Sequence, residues 1–390
     1  MSVTGPKGFT AAGLACGIKA SGNPDLALVA TDDGRAVPAA GVFTSNLAPA
    51  ASVQRNRSHL AATGGRAAAV VLTSGNANAA TGAPGLAAVD LISELAAAGL
   101  GATPEEILVC QTGLIGIPLP TAPLESGLPL LLAARLGGRE AALAAATAIM
   151  TTDTVRKEAL VEAAGFTVGA MAKGAAMLAP NMATMLAVLT TDALADPATL
   201  ASALQASVDG SFNTMSVDGC TSTNDTVLVL ASGRSGTSPT PAELAEALGT
   251  ACSALSTQMV EDAEGATKVS HVHVVGAASD ADAHRAARKV ADSLLVKCSL
   301  NGEDPYWGRV VSELGSAGVA FDPDLVEISY GGTVVCRAGV AAPHDVAVVA
   351  AHMAGRTIEL TCDLRLGSGR GAVTGTDLGH GYIDENRTTS

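Results

Sequence analysis

The run Met185-Leu-Ala-Val-Leu-Thr190 constrains the fold more than any other stretch, because it is apolar almost throughout and alternates poorly. A strand with one wet face alternates polar and apolar residues, whereas a strand covered on both faces reads as a continuous apolar run. This run therefore predicts a strand with packed layers above and below it. Ala67-Ala-Ala-Val-Val-Leu-Thr73 also reads as a buried strand, and further β-rich pieces occur at 25–30, 40–44, 107–110, 226–231, 269–275 and 357–361, with a hairpin at 159–170 turning at Gly165 and another at 326–337. Helical patterns alternate with them. Leu86, Val89, Ile92 and Leu95 recur at helical spacing, 131–148 is rich in Ala and Leu, Thr103-Pro104 with Glu106 predicts a capped helical turn, and Asp196-Pro197 and the capping box of Thr240, Pro241 and Glu243 each open a helix. The expected class is a layered α/β (α+β) fold. With 48% hydrophobic residues and only 2% aromatic ones, the core must be built mostly from Ala, Val and Leu, which suits tightly packed helices on sheets. A length of 390 residues suits two or three domains, or one large layered one.

The net charge of −14, without any Lys/Arg run, argues against a nucleic-acid or acidic-membrane partner and points to small-molecule ligands. The seven cysteines (16, 110, 220, 252, 298, 336 and 362) are scattered, odd in number and never form C-x-x-C. That pattern suits neither a disulfide framework nor a zinc ribbon, and it predicts a cytoplasmic protein. The first residues carry no apolar signal-peptide region, and no run of about 18 apolar residues follows, so a soluble, unexported protein is expected.

Immediately before the buried strand stands the pair Ala183-Thr184. A Thr hydroxyl after a small residue is placed to attack the preceding carbonyl, and cleavage there would leave Thr184 with a free α-amine beside its own nucleophilic oxygen. An α-amine titrates near pH 8, about two units below a Lys ammonium, so a useful fraction is neutral and able to take the hydroxyl proton. Most Ala-Thr pairs are ordinary backbone, so the pair gains weight only from its surroundings. Lys173 lies upstream, and Gly174 and Pro180 bound a bend. After the strand 107–110, Thr112 offers a hydroxyl and an N–H and Gly113 permits close backbone approach; such a pair either stabilises an oxyanion or is a plain turn. Ser74–Gly82 and Thr151–Thr154 are small polar clusters at element ends, suited to turns, caps or ligand contact. Two polar loops, 218–226 and 261–268, follow; Glu264 suits a substrate amine and Lys268 an internal pair, unless the segment is simply a solvated acidic helix end, the commoner case. His271 and His273 share a strand face, but no third ligand is evident and no metal is expected. Gly367-Ser-Gly-Arg-Gly-Ala372 lacks the βαβ context of a dinucleotide loop, so no NAD site is expected.

Taken together, Gly41-Val-Phe-Thr-Ser-Asn46, Ser74-Gly-Asn-Ala-Asn78, Thr112-Gly-Leu-Ile-Gly116, Ile149-Met-Thr-Thr-Asp153, Lys173-Gly174 with Met182-Ala-Thr-Met-Leu186, Thr221–Thr226, Glu264-Gly-Ala-Thr-Lys268 and Asp304-Pro-Tyr-Trp-Gly-Arg309 resemble, in order and over nearly the whole length, the motifs of the ornithine acetyltransferase family. These are the bifunctional glutamate N-acetyltransferases of arginine biosynthesis.

The resemblance implies a self-processing, N-terminal-nucleophile-like fold. It implies a precursor cut between Ala183 and Thr184 into chains 1–183 and 184–390 that stay together, with two of each in the assembly. Thr184 becomes the nucleophile, Thr112 and Gly113 the oxyanion hole, and Thr151, Lys173, Thr184, Glu264, Asn386 and Ser390 the substrate contacts. After Asn386 this chain is one residue shorter than the family pattern, which leaves Thr389 as an alternative to Ser390. The implied reaction moves an acetyl group from N2-acetylornithine to glutamate through acetyl-Thr184 and needs no cofactor; acetyl-CoA stays open as a second donor. Two other readings stay open: a self-cleaving amidohydrolase or aminopeptidase that admits water, and a non-catalytic amino-acid-binding protein.

Overall fold

The computed structural model describes residues 2–177 and 185–387. Among them the strands form three sheets. The first has the order Phe9–Leu14, Leu26–Thr31, Ala69–Asn76, Ile107–Leu114, with only the last pair parallel. The second runs Arg66–Ala67, Val37–Phe43, Thr226–Ala231, Leu186–Thr191, Phe166–Lys173, Lys157–Ala163, with only the 226–231 and 186–191 pair parallel.

Successive side chains of a strand point to opposite faces, so a central strand serves two cores. All six residues of Leu186–Thr191 are buried, as its apolar run predicts. Leu186 and Val188 share a core with Val29, Val70 and Leu108 of the first sheet. Ala187 and Leu189 share another with Leu200 and Leu204 of helix Pro197–Asp209 and Leu248 and Leu255 of helix Pro241–Glu261. On the far side of the first sheet, Leu28, Val71 and Ile107 pack with Val89 and Ile92 of helix Gly82–Leu100 and Leu124 and Leu128 of helix Ala122–Ala134. The layers are therefore helix, sheet, sheet, helix. Each buried Leu or Val contributes about 1.5–3 kcal/mol, which is how a core almost without aromatics holds two stacked sheets. Helix Gly82–Leu100 is long and apolar enough to cross a membrane, with a mean hydropathy of 1.4, yet its apolar face is one of these layers.

The third sheet has the order Met215–Ser216, Gly369–Thr376, Val269–Ala277, Thr357–Asp363, Glu327–Tyr330, Thr333–Arg337, Val340–Ala341. Helices Asp280–Asp292, Leu294–Asn301, Trp307–Gly315 and Val346–Met353 contribute to its core.

Two elements differ from the sequence reading. The expected helix at 131–148 is two helices, Ala122–Ala134 and Arg139–Ala148, because Leu136 pairs through both its N–H and C=O with Ala11 and pulls the chain out of helical geometry. The strand expected to end at Cys110 continues to Leu114, because its parallel pairing with 69–76 runs on through Thr112 and Gly113. The residues expected in a loop thus stand on a sheet. The expected caps are present: Asp196 accepts from the N–H groups of Ala198 and Thr199, and Thr240 and Glu243 close a capping box.

Candidate active site

The strand ends at Thr112-Gly113 and Lys173 converge. Lys173 is 3% exposed and Thr112 2%, and the Lys173 ammonium donates to the Thr112 hydroxyl oxygen over 3.2 Å. Since that oxygen accepts from Lys173, the Thr112 hydroxyl hydrogen is left to point elsewhere. Gly113 has φ +134°, and a Cβ there would lie 2.2 Å from the carbonyl carbon of Gly75 and 2.4 Å from the Asn76 nitrogen. Only glycine lets the two strands approach this closely. Thr112 and Gly113 line a cleft of about 240 Å³ with Ala77, Ile115, Met177, Ser222 and Asn224. Asn224 fixes one wall, donating to the carbonyls of Ala77 (2.6 Å) and Gln111 (2.9 Å). A larger cleft of about 350 Å³, lined by Arg139, Leu143, Glu158, Ala159 and Leu160, brings together none of the predicted site residues.

Asp153 organises the approach to Lys173. Its carboxylate accepts from Thr151 N–H (3.0 Å), Gly174 N–H (2.8 Å) and the Lys157 ammonium (2.6 Å), tying the Thr151 loop to the turn after Lys173. Lys157 also pairs with Asp262, two residues before Glu264, and Asp262 accepts from Thr154 N–H over 3.0 Å. Burial pushes the Asp153 carboxyl up, but the Lys173 and Lys157 charges and these hydrogen bonds outweigh it and hold it at about 2. Burial pushes the Lys173 ammonium down, with Lys157 acting in the same direction and Asp153, Glu264 and Asp225 partly offsetting both. A buried cation destabilised in this way gains most from an incoming carboxylate.

Glu264 is 7% exposed. Its N–H donates to Ala175 O (2.9 Å), and its carboxylate accepts from Asn386 Nδ2 over 2.7 Å. The close pass of helix His380–Glu385 over Gly265 sets this pair: a Cβ at Gly265, where φ is +61°, would sit 2.1 Å from the Tyr382 nitrogen.

Of the residues singled out in the sequence, Thr112 meets Lys173, Thr151 is tied to the Lys173 turn through Asp153, and Glu264 meets Asn386. Ala183, Thr184, Thr389 and Ser390 lie outside the described residues. Asp153, Asn224 and Asp225 carry no signal of their role in a single sequence, which marks them only as polar residues beside strands. Lys268 pairs internally, with Glu303 and the carbonyls of Met353 and Gly355. His271 and His273 lie beside Glu359, at 4.0 and 3.1 Å; among the described residues no set of three or more His, Cys, Asp or Glu is arranged to hold a metal. The glycines at 367–371 run into strand Gly369–Thr376 rather than a helix.

Thr112 and Gly113 thus stand beside a buried cation, and a buried carboxylate, Glu264, is tied to the turn after that cation, in a layered α/β sandwich. Residues 10–388 match the sequence model of the ArgJ family. The arginine biosynthesis bifunctional protein ArgJ of Mycolicibacterium paratuberculosis is 48% identical over 396 residues, covering 100% of this chain and 96% of that one. Its counterpart in Thermobifida fusca is 45% identical over 390 residues, covering 100% of both. The chain belongs to the ArgJ family. Among solved structures, it is similar to the ornithine acetyltransferase of Mycobacterium tuberculosis complexed with ornithine, at 42% identity and a TM-score of 0.42, over 46% of this chain and 94% of that one.

Proposed function

We propose that this chain is a bifunctional acetyltransferase of arginine biosynthesis that moves an acetyl group from N2-acetylornithine to glutamate. The precursor cleaves itself between Ala183 and Thr184, and the α chain, 1–183, stays bound to the β chain, 184–390, with two of each in the assembly. Thr184 Oγ attacks the acetyl carbonyl while its own α-amine takes the hydroxyl proton. The oxyanion accepts from the Thr112 hydroxyl and the Gly113 N–H, each such donor being worth about 3–4 kcal/mol in the transition state. Ornithine takes the proton and leaves an acetyl-Thr184 ester. The glutamate α-amine then attacks the ester, and N-acetylglutamate departs. Lys173 receives the α-carboxylate common to both substrates, Glu264 the ornithine side-chain ammonium, and Thr151, Asn386 and Ser390 complete the pocket. No cofactor takes part, and acetyl-CoA stays open as a second donor in glutamate acetylation. The reaction belongs in the cytoplasm, where the seven free cysteines stay reduced.

The observation that carries this reading is the 3.2 Å contact between Lys173 and Thr112, beside Gly113, in a chain of the ArgJ family. Denaturing mass spectrometry of the purified protein should show two fragments meeting at Ala183/Thr184, and N2-acetylornithine with glutamate should give N-acetylglutamate. A stable uncut chain would remove the free-amine base. Acetate in place of N-acetylglutamate would favour the amidohydrolase.

A further inference from the structure

The connection between strands Phe9–Leu14 and Leu26–Thr31 is built round one carboxylate. Asp25 is fully buried and accepts from the N–H groups of Cys16 (2.7 Å), Gly17 (3.1 Å), Ile18 (2.7 Å) and Lys19 (2.9 Å). Burial pushes the Asp25 carboxyl up, but these donors outweigh it and keep it below its ordinary value. The Asp25 C=O accepts from Ser74 N–H over 2.9 Å, which fastens the connection to the strand Ala69–Asn76. Hydrogen bonds to an ionised acceptor are roughly twice as strong as neutral ones, so the Lys19 side chain leaves the backbone from a fixed point.

The Lys19 stem lies against Gly75. A Cβ there would sit 2.9 Å from Lys19 Cγ, at φ +104°. Gly75 pairs with Gly113 on the neighbouring strand, so the stem is one strand away from the proposed oxyanion donor. The Lys19 ammonium donates to the carbonyls of Met150 (2.6 Å) and Pro24 (2.8 Å). Burial pushes this ammonium down and Lys173 adds to that, while Asp25 and Asp153 partly offset both, so the cation belongs to the charged cluster of the site.

The Met150 C=O and the Thr151 N–H are the two polar groups of one peptide unit. Lys19 grips the oxygen, and Asp153 accepts from the nitrogen over 3.0 Å. A peptide unit is planar, so a hold on both of its polar atoms fixes its plane and with it the bond that carries Thr151 Cα. Asp153 also accepts from Gly174 N–H, beside Lys173. The chain of contacts from Lys19 to the Lys173 turn therefore passes through the 150–151 peptide.

We propose that Lys19 is a positioning residue that fixes the 150–151 peptide, together with Asp153, and so sets Thr151 for substrate, an inference that rests on the acetyl-transfer reading above. Its part is in binding and not in a chemical step.

A double-mutant cycle tests it. Thr151→Val removes the hydroxyl at nearly constant shape, and Lys19→Met removes the ammonium while keeping a stem over Gly75. Each single variant should raise KM for N2-acetylornithine about 10-fold with kcat within about threefold, the pattern of lost ground-state binding. In the double variant KM should rise no more than about threefold beyond the larger single effect, because Lys19 acts through Thr151. Effects that multiply, to about 100-fold in the double variant, overturn the proposal, as does a Lys19→Met enzyme with wild-type KM. If Lys19→Met does not fold, Lys19→Gln, which leaves a polar group beside the two carbonyls, takes its place in the same cycle with the same readings. The parent reading fails separately, as a wild-type protein that forms no N-acetylglutamate, and would take this inference with it. Wild-type transfer with multiplying effects leaves the parent reading standing and removes only the role of Lys19.

Discussion

The Lys173 ammonium and the Thr112 hydroxyl oxygen are 3.2 Å apart, with both side chains buried. One cation therefore stands beside both the proposed oxyanion donor and the cleft. Lys173→Met removes a buried charge as well as a binding group, and these effects separate. Losing a buried charged partner of a substrate carboxylate costs about 3–4 kcal/mol, so kcat/KM for both substrates should fall roughly 10²–10³-fold. The midpoint of thermal unfolding should fall modestly, since burial works against this ammonium but the buried Asp153 carboxylate loses one of the two charges that hold it low. Steady-state kinetics and a melting curve on the same sample check both. Lost stability with kcat/KM intact would make Lys173 a structural residue.

Gly113→Ala tests the close approach of the two strands. The added Cβ would meet Gly75 and Asn76 backbone at 2.2 and 2.4 Å and sit at φ +134°, so the strand end must move. Strain and overpacking of this kind cost about 2–3 kcal/mol, and a displaced Gly113 N–H should lower kcat about 100-fold. Denaturant unfolding and kcat measure the two effects. Wild-type values of both would mean that the backbone there is freer than the contact distances imply.

The layers were legible in the sequence, and the chemistry only partly. The apolar run at 185–190 has no polar face, so a strand with cover on both sides was its only economical reading, and Leu186–Thr191 is that strand. The helix break at Leu136 was invisible because its cause, a pair of hydrogen bonds to Ala11, lies far back in the sequence. Thr112 and Gly113 were recognisable as a donor pair, but not as part of a strand, since that depends on pairing with 69–76. Asp153 escaped notice for the same reason. Its partners Thr151 and Lys157 are local, but Gly174, 21 residues on, reaches it only through the fold.

Asp153 should also leave a signature in acid. Its folded pKa of about 2 lies below the roughly 3.9 of an unfolded Asp, so its contribution to stability is complete above about pH 4 and is lost as pH falls through the folded value. The size follows from the gap, about 2–3 kcal/mol. Asp153→Asn should therefore lower the unfolding free energy near pH 7 by about that amount or more, since Lys157 and two N–H groups lose a charged acceptor. The difference from wild type should shrink between pH 4 and pH 2. A difference constant over that window would place the stabilisation in something other than the carboxylate charge.

Glu264 distinguishes the two halves of the proposed reaction. Ornithine carries a side-chain ammonium and glutamate a side-chain carboxylate, so a buried carboxylate at this position helps the first and not the second. Glu264→Gln keeps an oxygen for Asn386 Nδ2, which now approaches Glu264 at 2.7 Å, and so preserves the contact that seats the C-terminal helix. What is lost is the charge, and hydrogen bonds to charged groups contribute about 1.5–3 kcal/mol. The expected result is a fall in kcat/KM for N2-acetylornithine of roughly 10- to 100-fold, with glutamate's kcat/KM in the second half-reaction changed no more than about threefold. Single-turnover acetylation of Thr184, followed by mass, isolates the first half, and transfer from pre-acetylated enzyme to glutamate isolates the second. Equal losses in both would mean that Glu264 shapes the pocket without meeting the substrate amine, and that discrimination between ornithine and glutamate is made by another group.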